Sequence, residues 1–372
     1  MRAGTYIRQI EGYKAFIPNS LPPDPINIDW GMQELLSKAD RALGRLDGIT
    51  EILPNPDLFV TMYIRQEAVL SSQIEGTQAS LVDVLEYESK NQRGQIKDVS
   101  EVLNYINAIN YGLERLQVLP LSLRLMKEIH ARLLDNTRGS NKNPGEFRTS
   151  QNWIGEPGCM LKDAIFVPPP VNDMNKAMGD LELFLHNDEL KMPLLIKVGL
   201  AHAQVETIHP FLDGNGRMGR LLITFLLCSM GVLKRPLLYL SYYFKKHRKY
   251  YYEHLQSIRD NDSWEEWLKF FLTGVHEVSQ EATDKARLII RMREDHRAKV
   301  NGLGTYSLPL LEYLYENPII TVNNIKDEFN INYSTANRLT NSFEQAGILV
   351  NISGTSRNRQ YAYMDYLDLF KD

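Results

Sequence analysis

From Met32 onward, apolar residues return every three to four positions: Leu35, Leu36, Ala39, Ala42, Leu43 and Leu46 lie on one face of a helix. The same period recurs in 58–70, 99–116, 121–134, 172–186, 194–207 and 217–230. The first 290 residues therefore predict a mainly helical unit. Residues 1–30 lack this period and carry Pro18-Asn-Ser-Leu-Pro-Pro-Asp-Pro25, which predicts an irregular arm over the surface. Between helices, Asn143 to Gly155 and Phe166-Val-Pro-Pro-Pro170 predict a short hairpin or flap, because Gly and Pro bracket a β-favouring middle.

A charged helix over 277–297 ends at Gly302 and Gly304, which marks a domain boundary between Lys299 and Thr305. Beyond it, the pattern predicts a helix over 308–315, a second helix capped by Thr321 through Phe329, and a third capped by Ser334 and ended by Gly347. Two short strands, 348–352 and 360–364, flank the turn Ser353 to Ser356. This order is that of a winged helix-turn-helix. The expected domains are thus an arm (1–30), a helical region (31–120), a larger helical core (121–300) and a winged unit (303–372).

Composition narrows the classes. With 43% hydrophobic and 24% charged residues and a net charge of −4, the chain is an ordinary globular protein, not one that coats nucleic acid by charge. Two cysteines, Cys159 and Cys228, form no metal-binding pair and no disulfide framework, which fits a reducing cytoplasm. The start of the chain lacks a signal-peptide pattern, and its most apolar run, 221–227, is too short for a bilayer, so no membrane partner is expected.

The chemistry concentrates in His209-Pro-Phe-Leu-Asp-Gly-Asn-Gly-Arg-Met-Gly-Arg220, between two helical patterns. Gly214 and Gly216 around Asn215 let backbone N–H groups approach an anion, and the next helix adds its N-terminal dipole. Arg217 and Arg220 share a helix face and can clamp a polyphosphate. Asp213 supplies the hard oxygen that Mg²⁺ needs beside phosphates. His209, with an ordinary pKa near ~6.5, suits a general base. Phe211 is expected to anchor the loop in the core.

This stretch resembles, position by position, the H-x-F-x-D/E-G-N-G-R-x-x-R motif of the Fic family of protein AMP transferases. The flap segment and Leu238-Tyr-Leu-Ser-Tyr-Tyr-Phe244 with Tyr251 and Tyr252 extend the resemblance over roughly residues 30 to 290. The resemblance implies a Fic-type helical bundle with a β-hairpin flap, which holds ATP and Mg²⁺ and moves AMP to a Ser, Thr or Tyr hydroxyl of a target protein or of itself. It assigns His209 as base and Asp213 as the Mg²⁺ ligand. Gly214, Asn215 and Gly216 would lie at the α-phosphate, Arg217 at the β-phosphate and Arg220 at the γ-phosphate. Tyr242 and Tyr243 either line the adenine or pack helices. Gln151, Asn152, Trp153 and Ile154 of the flap would align an extended target strand, while Trp153 has the alternative of a core or dimer contact.

Ser71-Ser-Gln-Ile-Glu75-Gly76 resembles the inhibitory S/T-x-x-x-E-G/N motif of the same family. There Glu75 would pair with Arg220 and deprive the γ-phosphate of its partner, or alternatively direct a water that removes AMP. A homodimer is a further expectation of the resemblance. Two other readings stand beside AMP transfer: transfer of another phosphate-containing group such as phosphate or UMP, and a nucleotide-sensing transcriptional regulator. In the latter, Asn337, Arg338, Thr340 and Asn341 with Arg357 and Arg359 would meet DNA, although Asp365, Asp368 and Asp372 oppose it.

Overall fold

The computed structural model describes residues 1–52, 56–90, 97–156, 158–353 and 359–371. The fold is mainly α-helical. Its first residues form β1 (Gly4–Arg8) and β2 (Lys14–Pro18), followed by α1 (Trp30–Ile52), α2 (Pro56–Ile74), α3 (Leu81–Lys90), α4 (Lys97–Arg115) and α5 (Leu123–Leu133). After the flap come α6 (Val171–Leu185), α7 (Leu194–Ile208), α8 (Asn215–Ser229), α9 (Ser241–Lys246), α10 (Arg248–Asn261) and the long α11 (Trp264–Val300).

Helix α7 is buried on every face from Leu195 to Ile208, its few polar side chains included, and it forms the axis of the bundle. Helix α8 packs on α7 and is almost as fully buried, while α1 lies along α11. Two polar side chains inside this core are fully partnered. His202 donates from Nδ1 to the Gly219 carbonyl (2.9 Å) and accepts at Nε2 from the Tyr251 hydroxyl (2.9 Å). Burial pushes the His202 imidazole down to about 3, so it stays neutral.

Helices α4 to α8 fall within two residues of their predicted bounds, and α2 extends the predicted 58–70 to Pro56–Ile74; other elements depart further. The predicted arm is instead an antiparallel hairpin, Gly4 opposite Pro18, with Ala15 and Phe16 fully buried. The Phe16 N–H donates to the Val167 carbonyl (2.9 Å), and Arg2 pairs with Asp262 (2.8 Å) and Glu265 (2.7 Å). Only two adjacent residues of β2 point into the core, too few to produce a readable alternation. Helix α3 was absent from the periodic pattern, although Ser80 and Asp83 cap it reciprocally. The flap is no extended ladder: it closes through one bridge, Ile154 opposite Phe166.

The C-terminal unit comprises α12 (Ser307–Glu316), β3 (Ile319–Thr321), α13 (Val322–Glu328), α14 (Tyr333–Gln345), β4 (Val350–Asn351), β5 (Gln360–Ala362) and α15 (Met364–Asp368). Its sheet has the order β3-β5-β4, all antiparallel. Thr321 caps α13 through a reciprocal box with Asn324. The cap of α14 is Asn332, not Ser334: its side chain accepts from the Thr335 N–H (2.8 Å), and the helix starts earlier than predicted. Thr340 is buried and bonds the Ala336 carbonyl, so its side chain is not free to read a base, while half-buried Asn337 accepts from Arg359. The turn residues 354–356, Arg357 and Asp372 lie outside the described residues. Among the described residues, no helix is long and apolar enough to cross a membrane.

Candidate active site

The loop that joins α7 to α8 is held by backbone conformation at both ends. His209 ends α7 with φ +50° and Gly214 opens α8 with φ +78°, both left-handed. A left-handed non-glycine costs of order 1–3 kcal/mol and persists only where neighbours enforce it. Here they do. Arg148 Nε (3.0 Å) and Asn152 Nδ2 (3.1 Å) both donate to the His209 carbonyl, and Asn152 also donates to the Phe211 carbonyl (2.9 Å). The Asn215 side chain spans the loop, accepting from the Phe211 N–H and donating to the Phe211 carbonyl, both at 2.8 Å.

His130 props the loop from below. It accepts at Nδ1 from the Gly145 N–H (2.9 Å) and therefore donates from Nε2 to the Asp213 carbonyl (2.9 Å). Its ring stacks on Phe211 with centroids 3.7 Å apart and 7° between planes. Burial pushes His130 down to about 4, which keeps this neutral tautomer.

Above the loop, the N-terminal turn of α8 is occupied. A Cβ added at Gly216 would stand 2.3 Å from Glu75 Oε1, so the carboxylate rests directly on that glycine. Glu75 follows the end of α2 and accepts from Arg220 Nη2 at 2.7 Å, while Arg220 Nε donates to Ser71 Oγ (2.8 Å) and Nη2 also to the Ser71 carbonyl (3.0 Å). Burial opposes the charged form of Glu75, but Arg220 outweighs it and holds the carboxyl below its ordinary value. For Arg220, burial is likewise outweighed by Glu75, and its pKa is raised. Arg220 Nη1 is buried without a hydrogen-bond partner among the described residues, a donor with unused capacity.

Arg217 is buried with Glu101 at 3.6 Å and Asp213 at 3.8 Å, and its Nε and Nη1 lack hydrogen-bond partners among the described residues. Asp213 is about one-third exposed. Its Oδ1 accepts from the Gly214 N–H (2.6 Å), leaving Oδ2 available. One open carboxylate next to an anion cradle is a donor set that fits Mg²⁺ bound together with phosphate oxygens. His209 is partly buried, with Nδ1 lacking a hydrogen-bond partner among the described residues. Burial first, then the nearby charges of Arg259 and Arg148, push it down to about 4, well below the ordinary value expected from sequence.

The structure thus brings His209, Asp213, Gly214, Gly216, Arg217, Arg220, Ser71 and Glu75 together. For Asn215 it adds a second duty: the side chain bonds both polar groups of Phe211, while the backbone N–H lies in the first turn of α8. Gln151 and Asn152 also bond their own surroundings, Gln151 donating to the Pro168 carbonyl (2.9 Å), so they shape the flap rather than reach out from it. Trp153 is 41% exposed and donates to the Cys159 carbonyl, which rules out a place in the core. Tyr243 lies in an aromatic cluster with Phe244, His247 and Phe270, a packing duty. Tyr242 lines a small cavity beside Glu67 and Leu70.

Sequence reasoning missed Glu101, His130 and Arg148, which lie on ordinary helical or loop patterns with no local mark of function. It also missed two buried carboxyls, Glu67 and Glu206, each raised to about 7 by burial. Glu67 accepts from the hydroxyls of Ser241 (2.5 Å) and Tyr105 (3.0 Å). A Cβ added at Gly219 would stand 2.5 Å from Glu206 Oε1, so a larger residue there would displace that carboxyl.

Comparison with known proteins assigns this arrangement to a family. Residues 33–114 match the family model described as Fic/DOC family N-terminal, and residues 120–227 the one described as Fic/DOC family. The chain is 30% identical over 176 residues to a protein adenylyltransferase Fic of Aedes aegypti, covering 47% of this chain and 31% of that relative. A protein of the same name from Culex quinquefasciatus is 28% identical over the same length. The chain spans about a third of the length of the curated relatives it matches. In fold it is similar to a Fic family protein from Desulfovibrio desulfuricans G20, at TM-score 0.58 and 21% identity, over 91% of this chain and 97% of the other. It is also similar to Fic-1 (aa134–508) of C. elegans, at TM-score 0.52 and 19% identity, over 70% and 73%.

Proposed function

Because the chain belongs to the Fic/DOC family, we propose that it is a protein adenylyltransferase, moving AMP from ATP to a hydroxyl of a protein, and that Glu75 restrains it. The observation that carries this reading is the seat of Glu75. The N-terminal turn of α8 is an anion cradle, and the protein's own carboxylate lies on Gly216 and pairs with Arg220.

In the reaction, the target hydroxyl oxygen attacks the α-phosphorus, the bond to the α–β bridging oxygen breaks and pyrophosphate leaves. His209, neutral at physiological pH, accepts the hydroxyl proton. The first N–H groups of α8, at Asn215 and Gly216, hold the α-phosphate, and Arg217 and Arg220 take the negative charge of the outer phosphates through their unused donors. Mg²⁺ bound with the nucleotide at Asp213 supplies charge neutralisation. Catalysis is then chiefly positioning, which explains why so many hydrogen bonds converge on the carbonyls of His209 and Phe211.

Glu75 restrains this chemistry by competing for Arg220. Removing a charged partner from a buried pair is strongly unfavourable, so the pair stays closed until ATP or a partner replaces the carboxylate. Incubation with α-³²P-ATP and Mg²⁺ tests both halves of the reading. Label on protein is expected to rise at least tenfold with Glu75→Gly and to disappear with Glu75→Gly/His209→Ala. Label from γ-³²P-ATP instead would assign phosphate transfer, and equal labelling by wild type and Glu75→Gly would remove the restraint.

A further inference from the structure

A cavity of about 480 Å³ opens at the seam where α2 and α3 meet the C-terminal unit. Close-packed interiors leave few voids larger than a water, and this volume lies within the ~300–1,000 Å³ range of small-molecule sites. Its walls are mostly apolar: Leu70 from α2, Val82 from α3, and Ile319, Leu367 and Phe370 from the C-terminal unit.

The opening is braced rather than collapsed. On the α2 side, Arg65 donates to the Glu316 carbonyl (2.9 Å) and Gln66 to the Phe370 carbonyl (3.3 Å). On the α3 side, Asn324 and Gln360 bond the carbonyl and hydroxyl of Ser89. These struts join the two units across the gap and fix its width without filling it.

One polar atom inside the seam is unmet. Gln73 lines the cavity, and its Nε2 donates to the Ala79 carbonyl (2.9 Å), which fixes the orientation of the amide. Its Oε1 is then left buried with no hydrogen-bond partner among the described residues. A buried acceptor without a donor, on the wall of an apolar cavity, asks for a ligand that is apolar in bulk and brings one N–H or O–H.

We propose that this seam is a binding site for a small, mainly apolar molecule carrying a hydrogen-bond donor, and that its occupancy strengthens the Glu75 restraint. Gln73 lies between Ser71 and Glu75 on the same turn of α2 that holds Arg220. A ligand shifts a conformational equilibrium only toward the state it fits better. The cavity has this shape while Glu75 is seated on Gly216, so a ligand that fits it holds α2 in the restrained arrangement. The regulatory half rests on the reading of Glu75 as inhibitory, whereas the binding half does not.

The probe is 2-phenylindole, whose fluorescence reports an apolar site, with its N-methyl derivative as the donor-free control. Saturable binding to the full chain is expected, weakened at least tenfold by N-methylation or by Gln73→Met, and abolished by Val82→Trp, a change at an exposed position that fills the mouth. No saturable binding to wild type, or equal binding of both probes to wild type and both variants, overturns the site. At saturation, residual α-³²P labelling by wild type is expected to fall at least threefold while Glu75→Gly is unaffected. Unchanged wild-type labelling overturns the regulatory half. Absence of label even from Glu75→Gly counts against AMP transfer itself, and the fluorescence titration still decides the site.

Discussion

The buried ionisable side chains explain how a neutral-looking loop acquires chemistry. His209 is held near 4 by burial and by two neighbouring arginines, so it is a proton acceptor throughout the physiological range. Labelling by Glu75→Gly is accordingly expected to be nearly constant from pH 8 to 5.5, with no inflection at the ordinary imidazole value. A rate that halves near pH 6.5 would contradict the environment described for His209. Glu67 behaves in the opposite sense. Burial raises its carboxyl to about 7, so the fold favours its protonated form, and stability is lost as pH rises from the ordinary carboxyl value through 7. Glu67→Gln removes that dependence: its melting temperature relative to wild type is expected to be higher at pH 8.5 than at pH 6, read by calorimetry at both values.

At the scale of elements, the flap and the α7–α8 loop form one mechanical piece. Asn152 holds the carbonyls of both His209 and Phe211, so Asn152→Ala is expected to lower the labelling rate of Glu75→Gly by about tenfold to a hundredfold with nucleotide affinity nearly unchanged. Single-turnover labelling with a parallel nucleotide titration separates the two. Most helices here were legible because each buries one face, and the residue types of the 209–220 loop announced an anion site. What stayed hidden was of another kind. Glu101 and His130 reach the loop from α4 and α5, about 80 to 115 residues earlier in the chain, and no local pattern encodes such a meeting. The family resemblance puts Asn215 at the α-phosphate, but no sequence pattern shows that its amide also closes the loop on the backbone of Phe211. The β1–β2 hairpin escaped notice because its apolar attachment in β2 is only Ala15 and Phe16, with Arg2 adding ion pairs to the distant Asp262 and Glu265.

Across the whole molecule, the C-terminal unit is anchored to α2, the helix that carries Ser71 and leads into Glu75. Arg65 on α2 joins the Glu316 carbonyl and Glu88, and Tyr63 packs edge-on against Phe370. Arg65→Ala is expected to raise wild-type labelling severalfold, less than Glu75→Gly does, because it loosens the support of α2 and leaves the Glu75–Arg220 pair in place. Equal labelling would mean that the two units are mechanically independent.

The four tryptophans divide two and two between core and water. Trp264 and Trp267 are buried, Trp30 is 86% exposed and far along the chain from the loop, and Trp153 stands half in solvent on the flap. With Trp30→Phe, red-edge excitation selects the indole of Trp153. The protein then carries its own optical gauge of the flap: an emission shift to the blue on mixing with an extended peptide registers contact there without any label.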